Sequence, residues 1–150
     1  MCLIVDANVA SLVFPRVANG HMPQFVPLLR WLLKKDGRMV YGGKNGRELF
    51  IVRTAASAIL ELRRIGKAEE IPGVDEEQAS LEKAMRLRSD DPHVIALTRK
   101  SGARTLCSRD TDLHADFKDL EIVPSPKGMV YQNETHARTL RHTRGCRGPA

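Results

Sequence analysis

The chain has few aromatic residues and few cysteines. Aromatic residues make up 5% of its 150 residues, with Trp31 as the single tryptophan, which argues against a single-strand binder built on stacked aromatic side chains. The three cysteines, Cys2, Cys107 and Cys146, share no metal-ligand spacing. Cys2 and Cys107 lie in short apolar runs, and we expect both to be small core residues of a protein from a reducing compartment.

Targeting signals and long apolar segments are also lacking. The N-terminal apolar run is interrupted by Asp6 and has no basic region before it, so a signal peptide is not expected. The longest apolar stretch, residues 26–33, is too short and too charged to span a membrane. These absences predict a cytoplasmic protein that does not enter a membrane.

Positive charge is concentrated towards the C-terminus. The formal net charge is +6, and residues 127–150 hold five basic residues against one acidic residue. Such a distribution fits contact with a polyanion, although a tail kept in solution by its charge explains the composition equally well.

The length and the apolar fraction of 42% predict one domain with a real core. We assign it to residues 1–126, with a basic C-terminal extension at 127–150 that could pack partly on the domain.

Short apolar runs alternate with helical periodicity along the chain. Runs at 2–5, 39–41, 105–107 and 120–123 are typical of buried strands, and residues 68–74 could hold a short edge strand. Helices are predicted at 7–13, 22–35, 75–87 and, after a loop at 42–46, at 47–65. A further helix begins at Pro92, with Asp91 as N-cap, and ends at Gly102. The alternation predicts an α/β fold, a three-layer α/β/α sandwich around a central, mostly parallel sheet.

Acidic residues stand where strands end and helices begin. Asp6 follows the first strand, and Asp110 and Asp112 follow the strand at 105–107. Asp91 and Glu48 each open a helix and could reach the same edge of the sheet, where open parallel sheets bind ligands. Clustered carboxylates repel one another, and a divalent cation such as Mg²⁺ or Mn²⁺ removes that penalty. Within a basic chain, this pattern predicts a metal-assisted phosphodiesterase.

Two segments carry a resemblance to a known family. The segments are LIVDAN at residues 3–8 and DPHVIALTRKSGARTLCSRDTDL at residues 91–113. Together with an acid at the head of the middle helix, they resemble the PIN-domain nucleases, which include the toxin ribonucleases of bacterial toxin–antitoxin pairs. The resemblance covers roughly residues 1–123. It implies an α/β/α sandwich whose acidic cluster binds Mg²⁺ or Mn²⁺ and hydrolyses RNA.

The resemblance also implies roles for individual residues. The catalytic acids and metal ligands would be Asp6, Glu48, Asp91 and Asp110, with Asp112 as an auxiliary ligand, Asn8 and Ser108 as supporting residues, and Glu61 as the alternative to Glu48. Asp6, Asp91 and Asp110 could each instead cap a helix, and Glu61 could simply pair with Arg64 in solvent.

Four further residues near these acids are candidate contacts for substrate phosphate. They are Lys44, Arg47, His93 and Arg109. The alternative for each is an ordinary solvated surface group.

The resemblance implies a metal-dependent endoribonuclease of the toxin type that leaves a 5′-phosphate and a 3′-hydroxyl. The resemblance further implies a small antitoxin partner and a homodimer. Two alternatives stay open: a catalytically inactive PIN-like module that binds RNA or protein, and a nuclease that acts on DNA or flap structures.

Overall fold

A computed structural model describes residues 2–15 and 23–141, so Arg144, Arg147, Cys146 and the predicted helix start at Met22 lie outside the described residues. In that part of the chain, five parallel strands form one sheet in the order β3-β2-β1-β4-β5. The strands are β1 Cys2–Val5, β2 Arg38–Tyr41, β3 Ala68–Glu70, β4 Thr105–Cys107 and β5 Met129–Tyr131.

Helices cover both faces of the sheet. The α-helices are α1 Ala10–Val13, α2 Val26–Lys34, α3 Gly43–Ile51, α4 Arg53–Arg64, α5 Val74–Ala84, α6 Pro92–Ser101 and α7 Thr111–Lys118. Short 3-10 helices span Ala7–Val9, Pro23–Phe25 and Glu134–Arg141. No helix within the described ranges is long and apolar enough to cross a membrane.

The side chains of β1 divide the core into two layers. Leu3 and Val5 pack with residues of α1, α2 and α4 on one face, whereas Cys2 and Ile4 pack with residues of α5, α6 and α7 on the other. Successive residues of a strand point to opposite faces, so a fully apolar strand indicates burial on both sides. The predicted three-layer α/β/α sandwich is confirmed. Cys2 and Cys107 are both buried core residues, as expected, but Cys2 is disulfide-bonded, so the free thiol expected in a reducing compartment is found only at Cys107.

The centre of the sheet contains the point where the strand order reverses. From β1 the chain proceeds to β2 and β3 on one side, and later to β4 and β5 on the other. Val5 is the register partner of Cys107, so the residues that follow β1 and β4 emerge side by side. Crevices at such switch points, outside the carboxyl ends of the strands, are the usual ligand sites of open α/β sheets.

The helix predicted at 47–65 is wrong in its bounds, because two helices replace it. Helix α3 already begins at Gly43 inside the predicted loop, and Gly43 has a φ of 55°, which glycine adopts without strain. Val52 then has an extended backbone with a ψ of 104°, which ends α3 and starts α4 in a new direction. Glu48 therefore lies inside α3 and does not open a helix as expected.

The strand predicted at 120–123 is also wrong. Asp119 folds this segment into a turn, because its side chain accepts a hydrogen bond from the Glu121 amide and its carbonyl accepts from Ile122 and Val123. The strand that pairs with β4 on the side away from β1 is β5, which lies inside the predicted extension. The predicted boundary at residue 126 thus falls just before the last strand of the sheet.

Candidate acidic site at the strand switch point

Asp6 leaves β1 at the switch point and is only 4% exposed. The hydroxyl of Ser108, which follows β4, donates a hydrogen bond of 2.7 Å to Asp6 Oδ2. The backbone N–H of Asn8 lies close enough to favour the charged form of Asp6 and lower its pKa, although the Asp6 side chain makes no capping hydrogen bond. Burial nevertheless outweighs these donors and raises the pKa of Asp6. Ser108 thus contacts the Asp6 carboxylate through its side chain, whereas the side chain of Asn8 is exposed and only its backbone lies near Asp6.

Asp110 lies beside this pair at the start of α7. Its Oδ1 accepts hydrogen bonds from the amides of Asp112, at 2.9 Å, and Leu113, at 3.2 Å, so it caps the helix. The amide of Asp110 donates to Ser108 Oγ at 3.1 Å, and the same hydroxyl donates to Asp6, which links the ends of β4 and β1. Capping engages one carboxylate oxygen through these bonds, so the cap and a ligand role are compatible. Asp112 is exposed and contributes only its backbone amide to this network.

Asp91 enters the same cluster from the start of α6. Its side chain makes no capping hydrogen bond, contrary to the expected N-cap role. Burial raises the pKa of Asp91 to about 6, helped by the negative charge of Asp6 and by a carboxyl contact with Asp110. The three aspartates therefore affect one another electrostatically, as side chains of one site must.

A buried aspartate that the sequence analysis missed supports the loop before Asp91. Asp116 on α7 accepts hydrogen bonds from the amides of Arg88, at 3.0 Å, and Ser89, at 2.9 Å. The Ser89 hydroxyl in turn accepts a long hydrogen bond of 3.4 Å from the amide of Asp91. A signal was present: Asp116 lies between Leu113 and Phe117 on the buried face of α7, where an acid needs a specific partner.

Glu48 completes the cluster from α3. Its Oε2 lies 3.3 Å from His93 Nε2, and its Oε1 lies 3.8 Å from the ammonium group of Lys44. His93 Nε2 is also 3.9 Å from Asp91 Oδ1, so the imidazole stands between two carboxylates. Glu61, the alternative helix acid, instead pairs with Arg64 at 3.1 Å on the exposed face of α4. The structure thus brings Glu48 to the other acids and leaves Glu61 in solvent.

A buried asparagine joins α3 to β1, the strand that precedes Asp6. The side-chain amide of Asn45 donates a 3.0 Å hydrogen bond to the carbonyl of Val5, the last residue of β1. Asn45 is fully buried, and its Oδ1 has no hydrogen-bond partner. The predicted loop at 42–46 concealed this residue, because only a helix that begins at Gly43 turns Asn45 towards the sheet.

The candidate phosphate contacts occupy different surroundings. Lys44 is half exposed beside Glu48, and Arg109 is exposed next to Asp110. Arg47 forms a two-pronged ion pair with Asp75 of α5, with both distances 3.0 Å, so it is engaged away from the acids. His93 is 1% exposed and lies within the cluster instead of on its surface. Lys44 and Arg109 are thus the two predicted contacts whose positions suit a phosphate at the mouth of the site.

The donor chemistry of the site fits a divalent cation. Carboxylates are the ligands that Mg²⁺ and Mn²⁺ prefer, and the buried, unpartnered nitrogens of His93 and Oδ1 of Asn45 are further donors nearby. In the described part of the chain, however, no three His, Cys, Asp or Glu side chains are already spaced to hold a metal ion. Cation binding therefore requires side-chain movement, which mutually repelling carboxylates would make when their charge is neutralised.

Comparisons of the chain with protein-family models, with curated proteins and with solved structures found no match.

Proposed function

We propose that the protein is a metal-dependent endoribonuclease of the PIN type that hydrolyses phosphodiester bonds in RNA. The observation that carries the proposal is the convergence of Asp6, Glu48, Asp91 and Asp110 at the switch point of a parallel sheet. These acids come from four separate segments of a chain whose net charge is +6. A basic protein that gathers acids at its ligand-binding edge is suited to holding cations that contact a polyanion.

Each acid has a distinct task in this proposal. A bound Mg²⁺ or Mn²⁺ ion would supply a Lewis acid for the phosphate and lower the pKa of the attacking water. Asp6, held by Ser108, and Asp110, held by the α7 amides, would provide the fixed ligands. Glu48 and Asp91, whose side chains are 34% and 27% exposed, would adjust to the ion. Asp112 would act only if its exposed side chain turned inward.

Substrate recognition falls to the basic residues at the rim. Lys44 and Arg109 flank the cluster on α3 and before α7, and both have exposed side chains. Contacts from such residues position the backbone of a nucleic acid without reading its sequence. RNA is the proposed substrate because of the resemblance to PIN-domain ribonucleases. The cytoplasmic location and the toxin role belong to the same proposal, and cell fractionation checks the first of them.

The proposed homodimer and antitoxin are supported by exposed apolar side chains. Phe14, Leu33 and Ile65 line an open groove of about 310 Å³ between α1, α2 and α4, and the last two are exposed. Contiguous apolar surface of this kind is typical of protein interfaces. Sedimentation of the purified chain tests self-association, and Leu33→Glu should shift any dimer towards monomer.

The test of the catalytic proposal compares Glu48, which lies in the cluster, with Glu61, which is exposed and serves as the control. Purified wild type, Asp6→Asn, Glu48→Gln and the control Glu61→Gln are incubated with labelled RNA and with DNA of the same sequence, with Mn²⁺ or EDTA. We expect Mn²⁺-dependent RNA cleavage that drops by about 100-fold or more in Asp6→Asn and Glu48→Gln, the size of effect seen when a stabilising active-site group is removed. Glu61→Gln should cut like wild type.

Other outcomes would contradict the proposal in specific ways. Equal cleavage by wild type and Asp6→Asn would show that the acids are not catalytic. Faster cleavage of DNA than of RNA would show that DNA, and not RNA, is the substrate. Absence of cleavage together with RNA binding in EDTA would support a non-catalytic binding module.

A further inference from the structure

His93 is the most unusual polar side chain of the cluster. Its imidazole is 1% exposed, yet neither Nδ1 nor Nε2 has a hydrogen-bond partner within the described residues. The contact with Glu48, at 3.3 Å, is close enough for electrostatic attraction but does not have the direction of a hydrogen bond. A buried polar group without a partner is destabilising, and native proteins keep few of them. A ligand that contacts one of these nitrogens would satisfy such a group.

The position of His93 indicates where that ligand would lie. The residue follows Asp91 and Pro92 in the first turn of α6, and its Nε2 lies 3.3 Å from Glu48 Oε2 and 3.9 Å from Asp91 Oδ1. The charge of Asp6 is also close enough to act on it. Nε2 therefore faces the interior of the acidic cluster, and burial prevents contact with a phosphate that stays at the surface.

We propose that His93 binds the divalent cation of this cluster through Nε2, so that the site has a mixed nitrogen and oxygen ligand set and selects Mn²⁺ over Mg²⁺. This inference rests on the proposed function, because it needs a cation among the acids. Mg²⁺ favours oxygen ligands and gives up its water reluctantly, whereas imidazole suits first-row transition metals. One nitrogen ligand therefore changes the preferred metal without any change in the acids.

The direct test detects the nitrogen bound to the metal ion without any amino-acid substitution. Full-length protein is prepared with ¹⁴N or ¹⁵N histidine, loaded with Mn²⁺ and examined by electron spin echo envelope modulation. We expect a directly coupled nitrogen whose frequencies change with the histidine isotope. A spectrum that does not depend on the isotope would overturn the assignment, and this readout does not depend on how any variant folds.

The second test measures the metal preference by calorimetric titration. Wild type should bind Mn²⁺ more tightly than Mg²⁺, and His93→Gln should weaken Mn²⁺ binding by about 10-fold or more while Mg²⁺ binding changes much less. His136→Gln is the matched control, since His136 contacts the Gln132 amide after β5. It should leave both affinities unchanged. Equal weakening of both metals in His93→Gln would mean that His93 only fills space, which contradicts the inference.

Failure of this inference and failure of the proposed function give different results. If Asp6→Asn loses both metals while His93→Gln keeps the wild-type preference for Mn²⁺, the acids hold the cation and His93 does not. If wild type binds neither ion, the metal-dependent function itself is wrong, and the role of His93 falls with it.

Discussion

Replacement of Asp91 by asparagine should stabilise the metal-free protein at neutral pH. Burial, the charge of Asp6 and the contact with Asp110 raise the pKa of Asp91 from 3.8 to about 6, so ionisation of this carboxyl opposes folding. Asparagine has nearly the same shape and cannot ionise. The substitution also removes no helix cap, because the Asp91 side chain makes no capping hydrogen bond.

The size and the sign of the effect follow from linkage. A rise from 3.8 to about 6 corresponds to about 3 kcal/mol at about 1.4 kcal/mol for each pKa unit. Asp91 is 27% exposed, so solvent screens part of this, and we expect a gain of about 1 to 2 kcal/mol. Because the folded pKa exceeds the unfolded one, the folded state binds more protons between these values. The contribution of Asp91 to the free energy of unfolding therefore falls as pH rises from 3.8 to about 6.

Urea denaturation in EDTA at several pH values measures this difference. The gap between Asp91→Asn and wild type should be small near pH 4 and fully open above about pH 6 to 7. Asp90→Asn is the matched control, because Asp90 carries the same charge one residue earlier but is exposed. A lower stability of Asp91→Asn than of wild type at neutral pH, or an equal gain in Asp90→Asn, would show that ionisation of Asp91 does not oppose folding. Saturating Mn²⁺ should stabilise wild type more than Asp91→Asn, since the variant lacks a charged ligand.

Three further substitutions test contacts around the site, each by urea or thermal denaturation. Ser108→Ala removes the donor to the Asp6 carboxylate and should cost about 2 kcal/mol, with a larger loss at neutral than at acidic pH because the charged form needs the donor more. Asp116→Asn leaves one of two amides without its acceptor and should cost about 1 to 3 kcal/mol; an unchanged midpoint would contradict its anchoring role. Gly128→Ala would push a Cβ into the ring and carbonyl of Phe117 and should cost at least about 1 to 3 kcal/mol, whereas a separable extension would tolerate it.

The fold and the main acids were predictable because they depend on local patterns. An unbroken apolar run such as residues 2–5 indicates a strand buried on both faces, and an acid directly after it must emerge at the carboxyl edge of the sheet. Asp6 and Asp110 could therefore be placed at the same edge of the sheet from β1 and β4 alone. Their actual proximity depends on the pairing of Val5 with Cys107, which the sequence does not state.

The errors arose where a long-range or backbone effect overrides the local pattern. Residues 120–123 have the composition of a strand, but the side chain and carbonyl of Asp119 bind the amides that a strand would have used for pairing. The sequence predicts that Arg47 is available for phosphate, but its side chain pairs with Asp75, 28 residues away. In both cases the deciding contact is one that the apolar pattern and the charge pattern of the sequence do not reveal.

The sequence leaves Glu48 and Glu61 as alternative helix acids, and the side chain of Glu48 is also held less firmly than those of the aspartates. Asp6 and Asp110 are each held by strong hydrogen bonds in a fixed backbone frame, so their positions follow from the ends of strands. Glu48 has only a 3.8 Å ion pair with Lys44 and the undirected contact with His93, and a third of its side chain is exposed. Its longer side chain can therefore change rotamer at little cost when a cation arrives. A cluster with fixed aspartates and one adjustable glutamate explains why the acids converge although no ready-made metal geometry is present in the described chain.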